Sequence, residues 1–421
     1  MSILIKKVLL NNTPKDIYIS DNIIEEISDN ISVEADYKIN GDGMAAIPSF
    51  INAHTHAAMT LFRGYADDML LQDWLENKIW PLEAKLTEYD VYVGAKLACL
   101  EMIKTGTTFF NDMYWHFHGT AKAVEEMGIR AAISAVFIDL FYEKPSIKIQ
   151  EKLFKESKKY SDRIIFALGP HAIYTVSKES LQLAKEFSDK YDLLIHIHLS
   201  ETEKEVQDCI KQNNCRPVEY LEKIGFLGEN VILCHCAWLN NNEIEILSKY
   251  NVKVNHNPTS NMKLAVGNVL PYKPLKEKGI TISLGTDGCA SNNNLDMLES
   301  MKFAALLQKM HTNTPTIMPA KEAFDLATIN GAKTFRLNTG IIKENKIADL
   351  LLIDLKRPEL TPHTNLISNL VYSANGSCID TTICDGKILM QNRVVEGEEE
   401  IIEAAKKTFS NLMERVNSIA D

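Results

Sequence analysis

The tripeptide His54-Thr55-His56 sets two imidazoles two residues apart at the end of an apolar run, residues 45–53. The run reads as a strand, and side chains alternate along a strand, so His54 and His56 point to the same side. Two imidazoles there are two legs of a metal site, and imidazole nitrogen suits zinc and other first-row metals. The pair alone is a common pattern; its weight comes from the residues further along the chain. His198 ends the run 194–198, and Glu201 comes three residues later. His235 ends the run 231–235, and Asp287 ends the run 281–287 ahead of a Gly-Cys-Ala-Ser turn. Three histidines and an aspartate can hold one divalent metal and leave a place for a water, whose pKa the metal lowers toward neutrality. A carboxylate three residues beyond the third histidine stands where it can move protons near that water.

Each residue taken singly has a plainer explanation. A strand-end histidine is commonly a hydrogen-bonded structural residue, and an aspartate before glycine a turn residue. Five such residues at strand ends of one chain point instead to a shared site. Cys234-His235-Cys236 leaves a thiolate zinc site open, although alternation would turn both cysteines away from the mouth. His196 shares the face of His198 and is either a rival ligand or an interior residue behind the site. His256, before Asn257-Pro258-Thr259-Ser260-Asn261, reads as a strand-end residue that supports the mouth. His116, His118, His311 and His363 have no evident partners and read as structural or exposed.

The elements that must carry these residues alternate. Strand-like runs at 130–136, 164–168, 194–198, 231–235, 252–256 and 281–285 are separated by helical stretches such as 180–189 and 242–249. This is an α/β pattern, and over residues 49–337 it predicts a (β/α)8 TIM barrel. In such barrels active-site residues sit at the C-terminal ends of strands, where His54, His56, His198, His235 and Asp287 fall. Residues 1–48 and 338–397 have a different texture, of short strands and turns. The hairpin 379–384, Asp385-Gly386, 387–390 is the clearest of them. The two chain ends are expected to form one small β-sandwich domain, with residues 398–421 as an amphipathic surface helix.

Bulk composition limits the function classes. The 421 residues, 45% hydrophobic and 24% charged, suit a globular protein with a large core. A net charge of −11 lacks the basic face that nucleic acid requires. The apolar runs are too short and interrupted to span a membrane. The start of the chain has no signal-peptide pattern, so a cytoplasmic protein is expected. Eight scattered cysteines without a Cys-x-x-Cys pair fit a reducing compartment.

The residues resemble the amidohydrolase superfamily, and within it the 5'-methylthioadenosine/S-adenosylhomocysteine deaminases. The matching segments begin with Pro48-Ser49-Phe50-Ile51-Asn52-Ala53-His54-Thr55-His56, Met59-Thr60-Leu61-Phe62-Arg63-Gly64 and Trp80-Pro81-Leu82-Glu83. Gly169-Pro170-His171-Ala172-Ile173-Tyr174 and His198-Leu199-Ser200-Glu201-Thr202 come next. The last are His256-Asn257-Pro258-Thr259-Ser260-Asn261 and Gly285-Thr286-Asp287-Gly288-Cys289-Ala290-Ser291-Asn292-Asn293-Asn294.

The resemblance implies one zinc (or a close substitute) on His54, His56, His198 and Asp287. No lysine ends the strand 164–168, where binuclear relatives carry a carbamylated bridging lysine, so a mononuclear centre is implied. The implied reaction is hydrolytic deamination of an adenosine-type nucleoside, among them 5'-methylthioadenosine, S-adenosylhomocysteine, 5'-deoxyadenosine and adenosine. Asp287 would take a proton from the water, His235 would hold and polarise it, and Glu201 would protonate the ring nitrogen. Glu83 would accept hydrogen bonds from the ribose diol, and His171 would contact the purine, alongside Glu201 and Asp287. Trp74 and Trp80 would supply apolar walls. Free-base deamination of a guanine type, triazine-type dechlorination and a non-catalytic metal-binding scaffold are the alternatives. Relatives of this kind are often homo-oligomers, but nothing in the sequence marks an interface.

One departure bears on the substrate. Relatives that take S-adenosylhomocysteine hold its carboxylate with arginines after the strand that follows Met127-Gly128-Ile129-Arg130. Here Ala135 stands at the expected place, and no arginine occurs between Arg130 and Arg163. Lys144 or Lys148 would offer only point charges where an arginine fork binds both oxygens. Carboxylate-free 5' groups are therefore expected to be favoured.

Overall fold

The computed structural model describes residues 1–139 and 147–418. The chain begins with five strands, β1 (Ser2–Leu10), β2 (Thr13–Ser20), β3 (Ile23–Ser28), β4 (Tyr37–Asn40) and β5 (Met44–Pro48). Eight parallel strands come after them in sequence order around a barrel: β6 (Phe50–Thr55), β7 (Thr107–Asp112), β8 (Arg130–Phe137), β9 (Ile164–Pro170), β10 (Ile195–Leu199), β11 (Val231–His235), β12 (Lys253–His256) and β13 (Ile282–Leu284). The first and last strands meet beside the histidine motif. The Asp287 N–H donates to the His54 carbonyl at 3.0 Å. The Asn52 amide accepts from the Thr286 N–H at 3.0 Å and donates to its hydroxyl at 2.7 Å. The expected barrel is therefore present, its seam closed next to the motif.

The apolar run before His54 is not one strand. It is divided between β5 and β6 at Pro48-Ser49, and the chain crosses there from one sheet to the other. Proline has no N–H for a second ladder, which makes it a natural exit point. Strand β7 carries no sign in the sequence that distinguishes it. Its six residues are all buried, so neither face is polar and no alternation marks it.

The remaining strands, β14 (Leu350–Asp354), β15 (Ile379–Cys384) and β16 (Lys387–Met390), return to the N-terminal ones. Together they make a mixed sheet in the order β16-β15-β14-β5-β1-β2-β3, with β4 parallel to β1. Period-two alternation explains how this sheet serves two cores. Leu350 and Leu352 pack with Ile3, Ile5, Ile17 and Ile19, while Leu351 and Ile353 face the barrel layer. The hairpin turn Asp385-Gly386 has φ of 52° and 69°, the left-handed pair that a two-residue turn demands. A Cβ at Gly386 would overlap the Asp21 carbonyl, so only glycine fits. Arg130 in β8 and Asp349 form a buried ion pair that joins barrel to sheet.

The helices start where the sequence offers caps. Ser177 accepts the Ser180 N–H ahead of Lys178–Tyr191, and Asn240 forms a capping box with Glu243 ahead of Asn241–Lys249. The tail helix Glu398–Asn417 buries Ile401, Ala405, Thr408 and Leu412 along one stripe. It lies against the helix Glu88–Lys104, where Lys104 pairs with Glu398 at 2.7 Å and Arg415 with Asp90 at 2.5 Å. Among the described residues no helix is long and apolar enough to cross a membrane.

Candidate active site

His54, His56 and His198 converge at the C-terminal mouth of the barrel, with one ring nitrogen of each within 4.8 Å of the others. Each ring is held from behind. His56 Nδ1 donates to the Met113 carbonyl at 2.6 Å, and His198 Nδ1 to the His171 carbonyl at 2.8 Å. A carbonyl only accepts, so these two Nδ1 atoms carry the hydrogen and Nε2 keeps its lone pair. His54 Nδ1 stands 2.8 Å from His196 Nε2. His196 is therefore a residue behind the site and not a rival ligand. His54 Nε2 is buried, has no hydrogen-bond partner among the described residues, and faces Asp287 Oδ1 at 3.3 Å. His56 Nε2 lies 3.3 Å from the same oxygen. Oriented lone pairs, an orphaned buried nitrogen and a carboxylate make a donor set that fits a divalent metal.

Asp287 is placed by backbone as well as side-chain bonds. Its φ of 67° is left-handed, and Thr55, between the two histidines, donates to its carbonyl at 3.1 Å. Oδ1 accepts from the Gly288 N–H at 2.8 Å, and Oδ2 from the Ser260 hydroxyl at 2.6 Å. Burial pushes this carboxyl up, but with the His54 and His56 rings protonated at Nε2 their charge more than offsets it and holds the carboxyl well below the usual carboxylate range. A Cβ at Gly288 would sit 2.7 Å from Met59 Sδ and 3.1 Å from His56 Cβ, so glycine is required beside the second histidine.

The Cys234-His235-Cys236 segment departs from expectation. Simple alternation would turn both cysteines away, yet Cys234 pairs in register with His198 and faces the barrel axis. Its Sγ accepts from Asn257 Nδ2 at 2.9 Å. His235 reaches the mouth because its backbone is left-handed, with φ of 71°, which breaks the period of two. Cys236 is buried in the apolar outer layer, so a two-thiolate zinc site does not form. Cys234 with His54 and His235 is nonetheless a second group whose ligand atoms lie within 4.8 Å. His235 Nδ1 donates to Asn261 Oδ1 at 2.8 Å and lies 3.6 Å from Glu201 Oε1.

A pocket opens from this mouth. Glu201, His235, Asp287, His171 and Glu83 line it, with Trp74 and Trp80 on its walls. Glu201 is only 8% exposed, and burial pushes its carboxyl up, with the His235 ring acting in opposition. A raised carboxyl keeps its proton to higher pH than an ordinary one, which suits a proton donor. His171 is bonded through Nδ1 to the Thr175 hydroxyl at 2.9 Å, and burial pushes it down to about 3, so it stays neutral. Glu83 is partly buried, with Trp115 Nε1 donating to it at 3.2 Å.

Other sequence readings are revised by the fold. Ala135 does not face the pocket; it is 1% exposed in the layer between strands and helices, and Val136 in that strand and Ile138 just past its end line the pocket. Lys144 lies outside the described residues, and Lys148 is exposed on the helix Ile147–Ser157. His116 and His118 do have partners, the Leu86 carbonyl at 3.2 Å and the Glu156 carboxylate at 2.8 Å. His256 is buried at the mouth end of β12, and His311 and His363 are exposed. Ser260 and Asn261, which hold Asp287 and His235, stand out in the sequence only as members of a motif. No signal in one sequence shows which side chains a hydroxyl or amide will reach.

The sequence profile of the amidohydrolase family matches residues 45–389. The chain belongs to the amidohydrolase family. This amidohydrolase is 51% identical over 387 residues to a 5-methylthioadenosine/S-adenosylhomocysteine deaminase of Archaeoglobus fulgidus, covering 90% of this chain and 91% of that one. It is 48% identical over 426 residues to a 5'-deoxyadenosine deaminase of Methanoregula boonei, covering 99% and 96%. Its fold superposes on a zinc-bound adenosine deaminase of Xanthomonas campestris with a TM-score of 0.92, 29% identity and 98% of each chain covered.

Proposed function

We propose that this amidohydrolase deaminates adenosine-type nucleosides by hydrolysis, releasing the inosine analogue and ammonia. His54, His56, His198 and Asp287 hold one divalent metal, zinc, in this reading. The observation that carries it is the buried His54 Nε2 facing Asp287, with a raised Glu201 carboxyl in the same pocket. The deaminase relatives support the reaction class.

A divalent ion bound there supplies positive charge and lowers the pKa of water in the pocket. The chain's own groups do the rest. Asp287 takes the proton of the attacking water, with Ser260 holding Oδ2 and Gly288 holding Oδ1. His235, anchored by Asn261, orients that water toward the ring carbon that bears the amine. Glu201 delivers a proton to the adjacent ring nitrogen, where negative charge would otherwise build up. Neutral His171 contacts the purine without adding charge. Glu83 offers two acceptor oxygens to a vicinal diol. No lysine or arginine lines the pocket among the described residues, which favours substrates with neutral 5' groups, such as methylthioadenosine or 5'-deoxyadenosine.

The test is ammonia release by zinc-loaded protein from adenosine, methylthioadenosine, 5'-deoxyadenosine, S-adenosylhomocysteine, adenine and guanine. Nucleoside turnover that collapses in Glu201→Gln is expected, with S-adenosylhomocysteine the poorest nucleoside. Turnover of the free bases alone would refute the nucleoside reading. Glu83→Ala should depress nucleoside turnover, because the diol loses its acceptor.

A further inference from the structure

Glu205 is a buried carboxylate to which the proposed mechanism gives no role. It is 7% exposed, in the first turn of the helix Glu203–Asn213. An acid at this place after a threonine cap would ordinarily fold back on the cap's own N–H. Thr202 does cap the helix, its hydroxyl accepting the Glu205 N–H at 3.2 Å. The Glu205 carboxylate reaches past Thr202 instead. Oε1 accepts the Ser200 N–H at 2.8 Å, and Oε2 accepts the Glu201 N–H at 2.9 Å.

Those two peptides make the turn that leaves β10. Ser200 has a φ of 51°, a conformation that residues with a Cβ avoid unless their surroundings impose it. Its carbonyl is held from the other side by the Trp238 N–H at 2.9 Å. A second acid in the fold shows what distinguishes this carboxylate from a structural one. Glu243, at the start of the next barrel helix, also accepts from backbone, but Arg216 pairs with it at 2.7 Å. Glu205 forms no ion pair with a lysine or arginine among the described residues; the two peptide donors of the turn are its main compensation, ahead of the His235 ring.

We propose that Glu205 is the positioning residue for Glu201: its two oxygens lock the left-handed turn that aims the Glu201 carboxyl into the pocket. The inference rests on the proton-delivering role proposed for Glu201. A residue that acts only through another has no effect once that other is gone, whereas a merely structural residue costs the same in either background.

The experiment is a double-mutant cycle at pH 8 on the full, zinc-loaded chain with methylthioadenosine as substrate. It comprises Glu205→Gln, Glu201→Gln and the double variant, each with its metal content and unfolding temperature measured. Glutamine turns one acceptor into an NH2 facing an N–H, so one of the two bonds breaks. A displaced carboxyl in a proton-transfer site costs roughly 10- to 100-fold in rate. Glu205→Gln is expected to lose that factor in kcat, with KM within about twofold and metal content unchanged. In the Glu201→Gln background it should lose no more than about twofold. The same factor lost in both backgrounds, or a folded Glu205→Gln enzyme with unchanged kcat, overturns the proposal. If Glu205→Gln does not fold, Glu205→Asp enters the same cycle, keeping the charge and shortening the reach. Full activity of Glu201→Gln alone would overturn the role of Glu201 and this inference with it. That failure is visible in the single variant, so the two are distinguishable.

Discussion

Removing the Ser260 hydroxyl tests whether Asp287 must be held by more than the oxygen that faces His54 and His56. Ser260 is fully buried, and its hydroxyl donates to Asp287 Oδ2 at 2.6 Å, the length of a charge-assisted bond. Oδ1 already accepts the Gly288 N–H and faces the His54 and His56 rings, so it offers no substitute for the bond at Oδ2. A hydrogen bond to a charged group contributes about 1.5–3 kcal/mol, and each ~1.4 kcal/mol is tenfold. Ser260→Ala is therefore expected to lower kcat/KM by roughly 10- to 150-fold. The assay is ammonia release at saturating zinc, with zinc affinity measured by chelator competition. Thr259, one residue earlier, provides the control. Its buried hydroxyl has no hydrogen-bond partner among the described residues, and Thr259→Val should change kcat/KM little. Ser260→Ala with both kcat/KM and zinc affinity within about twofold of the parent, on the scale of experimental error for a lost bond, would show that Asp287 needs no second anchor.

Chelation should abolish ammonia release, and added zinc should restore it while raising the unfolding temperature, because an ion that binds only the folded chain stabilises it. Asp349→Ala leaves Arg130 charged and buried between barrel and sheet. It should cost about 3–5 kcal/mol in denaturant unfolding without removing any pocket residue. Burial raises the Glu205 carboxyl from 4.5 to about 7, so between those values the folded chain binds more protons than the unfolded one. That contribution to stability is present below pH 4.5 and is lost as pH rises through about 7. Glu205→Gln should flatten this part of the curve of unfolding free energy against pH.

The barrel and most of the residues at its mouth were legible in the order of residues alone, for a local reason. Strand periodicity and strand ends are short-range properties, so His54, His56, His198 and Asp287 could each be placed at a strand terminus without knowing the fold. The hairpin at Asp385-Gly386 was legible for the same reason, because the turn chemistry is carried by two residues. What failed was alternation where the backbone turns left-handed. Cys234 and His235 both face inward because His235 has a φ of 71°, which no pattern of residue types revealed. Ala135 and Val136 exchange their expected sides because the phase of a strand is set by its neighbours. Strand β7 was hidden because burial on both faces removes the period. The bonds that steady the site run from Ser260 to Asp287, from Asn261 to His235 and from Glu205 to the Glu201 turn, and only the packed chain reveals them. The first two span 27 and 26 residues, and the last depends on a side chain passing over its own helix cap. Such bonds exist only once strands and helices are packed, since distance through space is then no longer distance along the chain.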